Sequence, residues 1–98
     1  ASYGWRSPRA ERWTEEYQVT SLRAALEVYL EHPAVVGAVI WQFCDVGVTE
    51  HGPAKGAPWP NRPRCMNNKG VVDEYRRPKL AYAAVRELMT AARDASRA

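Results

Sequence analysis

Residues 35–43 of this 98-residue chain read VVGAVIWQF, a nearly continuous apolar run that is rich in β-branched side chains. Strands that are covered on both faces have this pattern, whereas strands with one solvent-facing side alternate apolar and polar residues. We therefore predict a strand at 35–43 that is buried on both faces. A parallel α/β sheet, with helices above and below it, is the setting that such a strand requires.

An amphipathic helix is predicted before this strand, over residues 14–31. Its apolar positions recur at three- and four-residue spacing, and two acidic residues, Glu15 and Glu16, stand where a helix N-terminus favours negative charge. The helix should end at His32, because the residue before Pro33 is sterically excluded from the α region. The apolar positions are Leu22, Ala25, Leu26, Tyr29 and Leu30.

A long loop and a second helix are predicted after the strand. Residues 47–66 are rich in Gly and Pro and show no periodicity, and loops of about 20 residues inside compact domains are commonly functional. A short stretch at 70–72, GVV, follows the loop. Pro78 fits the first position of a helix, whose apolar line comprises Ala81, Ala84, Val85 and Leu88.

The predicted order is thus helix, strand, long loop, helix. This is the order of helix seven, strand eight, its loop and helix eight in a (β/α)8 TIM barrel, an α/β fold that takes about 250 residues. We predict that residues 1–90 form the C-terminal part of such a barrel and that residues 91–98 form a frayed tail. Active sites of these barrels lie at the C-terminal ends of the strands, which places the candidate site between Trp41 and Lys69.

The composition is that of a globular protein, with 46% hydrophobic and 26% charged residues. The net charge is +3, but acidic residues are interleaved with the arginines, which argues against a nucleic-acid interface. No apolar run approaches the roughly 20 residues of a membrane span, and no signal peptide is visible, so we expect no membrane partner and a cytoplasmic location by default. The two cysteines and two histidines are isolated in the sequence and predict no metal site and no cofactor.

Four blocks of the sequence carry a family resemblance. They are WTEEYQ at 13–18, IWQFCD at 40–45, NNKG at 67–70 and RPK at 77–79. In this order and spacing they resemble the closing segment of glycoside hydrolase family 2 enzymes of the β-glucuronidase type, over residues 3–89. The set is far more specific than any one block.

The resemblance implies a retaining glycosidase that hydrolyses O-glycosyl bonds, with β-D-glucuronides as the expected substrates and without a cofactor. Such enzymes hold a glutamate nucleophile and a glutamate acid/base about 5 to 5.5 Å apart. The resemblance places both glutamates upstream of Ala1. We therefore expect the chain to contribute sugar-recognition residues, to be inactive by itself, and to belong to a larger parent enzyme for which a homo-oligomer is allowed.

The resemblance assigns recognition to Trp41, Asn67 and Lys69, with Arg64 as a further candidate. An aromatic face at position 41 can pack on the apolar side of a pyranose. A lysine ammonium and an asparagine amide suit the C6 carboxylate of a glucuronide, and Arg64 could assist through a bidentate contact. The alternatives are a core tryptophan at 41 and a structural turn with an exposed lysine at 67–69.

Other polar residues in the blocks are assigned supporting roles. Asp45 and Glu50 could be mistaken for an acid/base pair, but Asp45 is expected to accept hydrogen bonds that fix the loop, and Glu50 to be solvated. Glu15 and Glu16 are interpreted as helix-terminus acids. Asn68 stands where the family often has lysine, and its side chain need not face the sugar.

Two other functions stay open at this point. A β-galactosidase of the same family would share the scaffold, although a neutral galactose would leave Lys69 without a charge partner. A non-catalytic carbohydrate-binding relative would keep the recognition residues and lack the two glutamates. A carbohydrate is the expected partner in every case.

Overall fold

The computed structural model describes residues 1–48 and 66–96 of the chain. Two helices dominate it, and two short strands lie between them in the sequence. The elements are helix α1 at Glu15–Glu31, strand β1 at Val46–Gly47, strand β2 at Met66–Asn67 and helix α2 at Leu80–Ser96. The two predicted helices are therefore present in the predicted order, whereas most of the predicted loop at 47–66 lies outside the described residues.

Helix α1 begins and ends where the sequence predicts. The Thr14 side chain accepts a hydrogen bond from the Tyr17 backbone N–H at 3.3 Å, which satisfies one of the free donors at the start of the helix. At the other end His32 is already extended, with φ −75° and ψ 125°. Pro33 explains this boundary, since it disfavours a helical conformation in the residue before it.

The predicted strand at 35–43 is wrong in its burial. Val36 and Val39 are fully exposed, at 107% and 99%, and Trp41 and Phe43 are exposed at 72% and 58%. None of residues 35–43 belongs to a strand in the described part of the chain. A run that is apolar on both faces needs neighbours on both sides, and helices α1 and α2 cover only part of it.

The C-terminal end of this run is nevertheless held by backbone hydrogen bonds. The Val71 N–H donates to Gln42 O at 3.1 Å, and the Val72 N–H donates to Phe43 O at 3.0 Å. The Asp45 N–H in turn donates to Val72 O at 3.1 Å. These bonds align residues 42–45 with residues 69–72 in the parallel sense of the Cys44–Val72 bridge, and β1 pairs separately with β2 in the antiparallel sense.

The core lies where this backbone ladder meets the two helices. Val71, Val72 and Ala81 form its buried centre, and side chains from α1, from the apolar run and from α2 pack against them. The packing residues are Val19, Leu22, Ile40, Cys44 and Val85. The stretch at 70–72 is therefore the link through which α1 and α2 share one core.

Helix α2 differs from the prediction at both ends. It begins at Leu80 and not at Pro78, which instead forms an isolated bridge with Val72. It continues to Ser96, so most of the segment that was expected to fray is helical. Burial of Ala81 and Ala84, at 0% and 5%, confirms two positions of the predicted apolar line.

The complete barrel stays a prediction, because the described residues supply two helices and one short sheet. Neither described helix is long and apolar enough to cross a membrane.

Candidate functional site

The candidate site is a cavity of about 210 Å³ that lies between helix α1 and the end of the apolar run. Trp41, which is joined to Gln42 by a cis peptide bond, forms one wall of it, and Lys69 forms another. The remaining lining residues are Ala1, Tyr17, Gln18, Ser21 and Leu22. Two of the residues that the sequence predicts for sugar recognition are thus brought to one cavity.

The Trp41 side chain is 72% exposed among the described residues. An exposed indole beside a cavity can offer its face to an apolar surface of a ligand.

The loop at 67–70 turns alternate side chains in opposite directions. Asn68 is 3% exposed, and its amide donates to Met66 O at 3.1 Å, so its side chain is used within the protein. Lys69 is exposed, and its ammonium makes no ion pair with any residue in the two described segments. The loop therefore buries its second residue and presents its third.

The Asn67 side chain is oriented by a hydrogen bond from Lys69, the other residue predicted to bind the carboxylate. Its side-chain Oδ1 accepts from the Lys69 backbone N–H at 3.1 Å, the geometry of an Asx turn. Because the carbonyl side of the amide is occupied in this way, the NH2 side is the one directed away from the turn. Asn67 itself does not line the cavity, so of this pair only Lys69 does.

Asp45 holds the loop at 67–70 through hydrogen bonds. Its Oδ1 accepts from the Gly70 backbone N–H at 2.9 Å and from the Lys79 ammonium at 2.8 Å. Burial raises the pKa of Asp45, although the hydrogen bond and the positive charge of Lys79 act in the opposite direction. Asp45 is 2% exposed and does not line the cavity, so it is no catalytic acid here.

Gly70 is required by close packing against the same residue. A Cβ at position 70 would collide with the backbone of Cys44, Asp45 and Val72. Only glycine allows the loop to approach the end of the apolar run this closely.

Gln18 is a contributor that the residue-by-residue prediction missed. It is 8% exposed on α1, and its amide donates to Gly70 O at 2.9 Å and to Lys69 O at 3.5 Å. The signal in the sequence was its place at the end of the block WTEEYQ. Helix α1 thus helps to hold the loop that carries Lys69.

Glu15 has a larger role than that of a helix-terminus acid. It is 1% exposed, and its carboxylate accepts from the Gly4 N–H at 2.7 Å, the Arg6 guanidinium at 3.2 Å and the Leu80 N–H at 2.7 Å. It therefore joins the N-terminal segment, α1 and the first residue of α2. Glu16 stays closer to the prediction, with one hydrogen bond from the Ser7 N–H at 2.9 Å.

Several predicted residues lie outside the described part of the chain, among them Arg64 and Glu50. In the described part, no Asp or Glu lines the cavity, and no cluster of His, Cys, Asp and Glu could hold a metal ion. The described part of the site therefore contains no pair of carboxylates for acid/base chemistry.

This chain is similar to solved structures of known proteins, among them the following two. Both are crystal structures of a GH2 (glycoside hydrolase family 2) β-galacturonidase from Eisenbergiella tayi, one bound to galacturonate and the other bound to glycerol. Each matches with a TM-score of 0.78 and 44% sequence identity over 93% of this chain. No family model and no curated protein matches.

The chain spans 15% of the length of these relatives. Their similarity supports the assignment to glycoside hydrolase family 2 and, with it, a fragment of a β-glycosidase. Because both relatives are β-galacturonidases, it does not support the β-glucuronidase type in particular.

Proposed function

We propose that this chain is part of a retaining family 2 β-glycosidase that hydrolyses β-linked uronic acids, with the chain supplying recognition of the C6 carboxylate. The longer protein is called the parent enzyme below. Its glutamate nucleophile and glutamate acid/base belong to the remainder of the parent enzyme, where the family resemblance places them upstream of Ala1. The proposed reaction is double displacement through a glycosyl-enzyme intermediate.

The observation that carries this proposal is the placement of Lys69. Lys69 lines the same cavity as Trp41, and its ammonium has no carboxylate partner among residues 1–48 and 66–96. Asn67 stands beside it with its amide oxygen already engaged. A uronic acid supplies the missing anion on C6, and its pyranose supplies an apolar face for the indole.

Two uronic acids fit this description. The sequence resemblance favours β-D-glucuronides, and the similarity to the β-galacturonidases of Eisenbergiella tayi favours β-D-galacturonides. The two sugars share the C6 carboxylate and differ in the configuration at C4. Lys69 and Asn67 would serve either one, so the choice between them depends on the group that contacts O4.

Replacing Lys69 in the parent enzyme tests recognition of the carboxylate. Lys69→Ala should lower kcat/KM on nitrophenyl β-glucuronide or β-galacturonide by roughly 10- to 100-fold, because a hydrogen bond to a charged group contributes about 1.5–3 kcal/mol. The same change should spare the corresponding neutral β-glucoside and β-galactoside.

Arg86→Ala provides the matched control, since it removes a cation from the exposed surface of α2 and does not touch the cavity. It should leave all four substrates unchanged. Equal losses on charged and neutral sugars in Lys69→Ala would reject the assignment and favour the β-galactosidase alternative.

Assays of the parent protein for binding and for turnover distinguish an enzyme from a non-catalytic carbohydrate-binding relative. Binding of glucuronate or galacturonate without turnover, together with the absence of a glutamate at the end of the strand that precedes this chain, would replace the enzyme with a carbohydrate-binding protein.

A further inference from the structure

Lys79 is a buried lysine that lies behind the recognition loop. Its side chain is fully enclosed, at 0% exposure, in the turn that leads into α2. Its Nζ donates to Ala1 O at 2.6 Å, to Asp45 Oδ1 at 2.8 Å and to Asn68 O at 3.2 Å. An ammonium group has three N–H donors, so all of them are used within the protein.

One acceptor of Lys79 lines the cavity, and the other two are in contact with the recognition loop or belong to it. Ala1 lines the cavity directly, and Asn68 lies between the two predicted recognition residues. Asp45, the third acceptor, also accepts a hydrogen bond from the Gly70 N–H at 2.9 Å, and in this way holds the end of the loop. The Lys79 ammonium therefore holds Ala1, which lines the cavity, and the recognition loop at fixed positions relative to each other.

A buried ion pair of this kind is a poor source of stability. Removing both charges from water costs several kcal/mol per ion, and apolar residues of similar volume are often as stabilising. The pair of Asp45 and Lys79 instead determines the local backbone geometry, because their hydrogen bonds fix the positions of Asn68 O and the Gly70 N–H. Asn68 O and the Gly70 N–H flank Lys69 on both sides.

We propose that Lys79, together with Asp45, is a positioning residue for uronate recognition: it sets where the Lys69 ammonium stands relative to the cavity, without touching the substrate. This inference rests on the proposed function. Lys79 acts through the backbone of residues 68–70, and its own ammonium has no donor left for a ligand.

The experiment is a double-mutant cycle in the parent enzyme with Lys79→Met and Lys69→Ala, measured on a nitrophenyl β-uronide. Lys79→Met alone should lower kcat/KM roughly tenfold, mainly through a higher KM. This size is typical of the coupling between residues of one hydrogen-bond network, here Lys79 and the loop that carries Lys69. In the Lys69→Ala background the same change should have little further effect. Additive losses would overturn the inference.

Loss of folding is controlled by a second variant. Lys79→Met leaves the Asp45 carboxylate buried without its charge partner, so Asp45→Asn/Lys79→Met should recover the thermal midpoint but not the KM for the uronide. Recovery of both quantities would show that the pair only stabilises the fold and would also overturn the inference.

Arg77→Met is the matched control within the same turn. It breaks the neighbouring ion pair with Asp73, which lies outside the cavity, and should leave the KM for the uronide unchanged. If Lys69→Ala itself has no effect on uronide hydrolysis, the proposed function fails. A clear Lys69→Ala effect with no coupling to Lys79 rejects the positioning role alone.

Discussion

Glu15 shows how one side chain can connect three segments that are distant in the sequence. Its two carboxylate oxygens accept from Gly4, Arg6 and Leu80, and the Leu80 N–H is one of the donors that a helix leaves free at its start. This contact supplies the N-terminal hydrogen bond of α2 from another helix. It accounts for a helix that begins after Lys79 and not at the proline.

Glu15→Gln should destabilise the parent enzyme. A glutamine keeps one acceptor and places an NH2 group against a backbone N–H, and a buried donor left without an acceptor costs about 1–3 kcal/mol. Thermal or chemical unfolding should therefore show a clearly lowered midpoint. Glu16→Gln, one residue further along the same helix with one hydrogen bond from Ser7, is the matched control and should change the midpoint much less. Equal effects would contradict the connecting role of Glu15.

The candidate site was partly predictable at the level of single residues. Trp41 and Lys69 were assigned by their place in the family blocks, and both lie at one cavity. Gln18 and Lys79 belong to the same blocks but received no role, because their partners are backbone groups. Lys79 bonds Ala1 across 78 positions of the sequence, a contact that no local pattern contains.

At the scale of elements, the turn before α2 is organised around Asp73. Its carboxylate accepts from the Tyr75 and Arg77 backbone N–H groups at 3.0 and 2.7 Å and pairs with the Arg77 guanidinium at 2.5 Å. Burial acts to raise the pKa of Asp73, but the hydrogen bonds from Arg77 and Tyr75 and the charge of Arg77 outweigh it and lower the pKa. This turn leads directly into α2, which begins at Leu80.

The pH dependence of stability follows from the direction of that shift. A carboxylate whose pKa is lowered by folding stabilises the protein above its unfolded pKa of about 3.9, and this contribution is lost as the pH falls through the folded pKa. Asp73→Asn should therefore lower the thermal midpoint at neutral pH, and the difference from the wild type should shrink below about pH 4. A difference that stays constant from pH 7 to pH 3 would contradict the ionised role of Asp73.

At the scale of the whole molecule, the exposed apolar run is the dominant feature. Val36, Val39, Trp41 and Phe43 have more than half of their surface open to solvent, and burying each such side chain is worth about 1.5–3 kcal/mol. The helices and the short sheet do not cover them. The family resemblance predicts that the rest of a barrel covers these side chains in the parent enzyme.

The 98-residue chain expressed alone should consequently be inactive and poorly folded. We expect a broad, non-cooperative thermal transition and strong binding of a hydrophobic dye such as ANS. The parent enzyme serves as the control, with a cooperative transition. Cooperative unfolding together with uronide hydrolysis by the isolated chain would overturn both the fragment assignment and the proposed function.

Local rules in the sequence were sufficient for α1, which has a capping threonine and a proline stop, and for the apolar face of α2. The roles assigned to Trp41, Asn67 and Lys69 rest on the family blocks and stay predictions. The burial of 35–43, the start of α2 and the roles of Glu15, Gln18 and Lys79 required the tertiary structure. Each of these depends on groups that lie far apart along the chain and meet only when the backbone is folded.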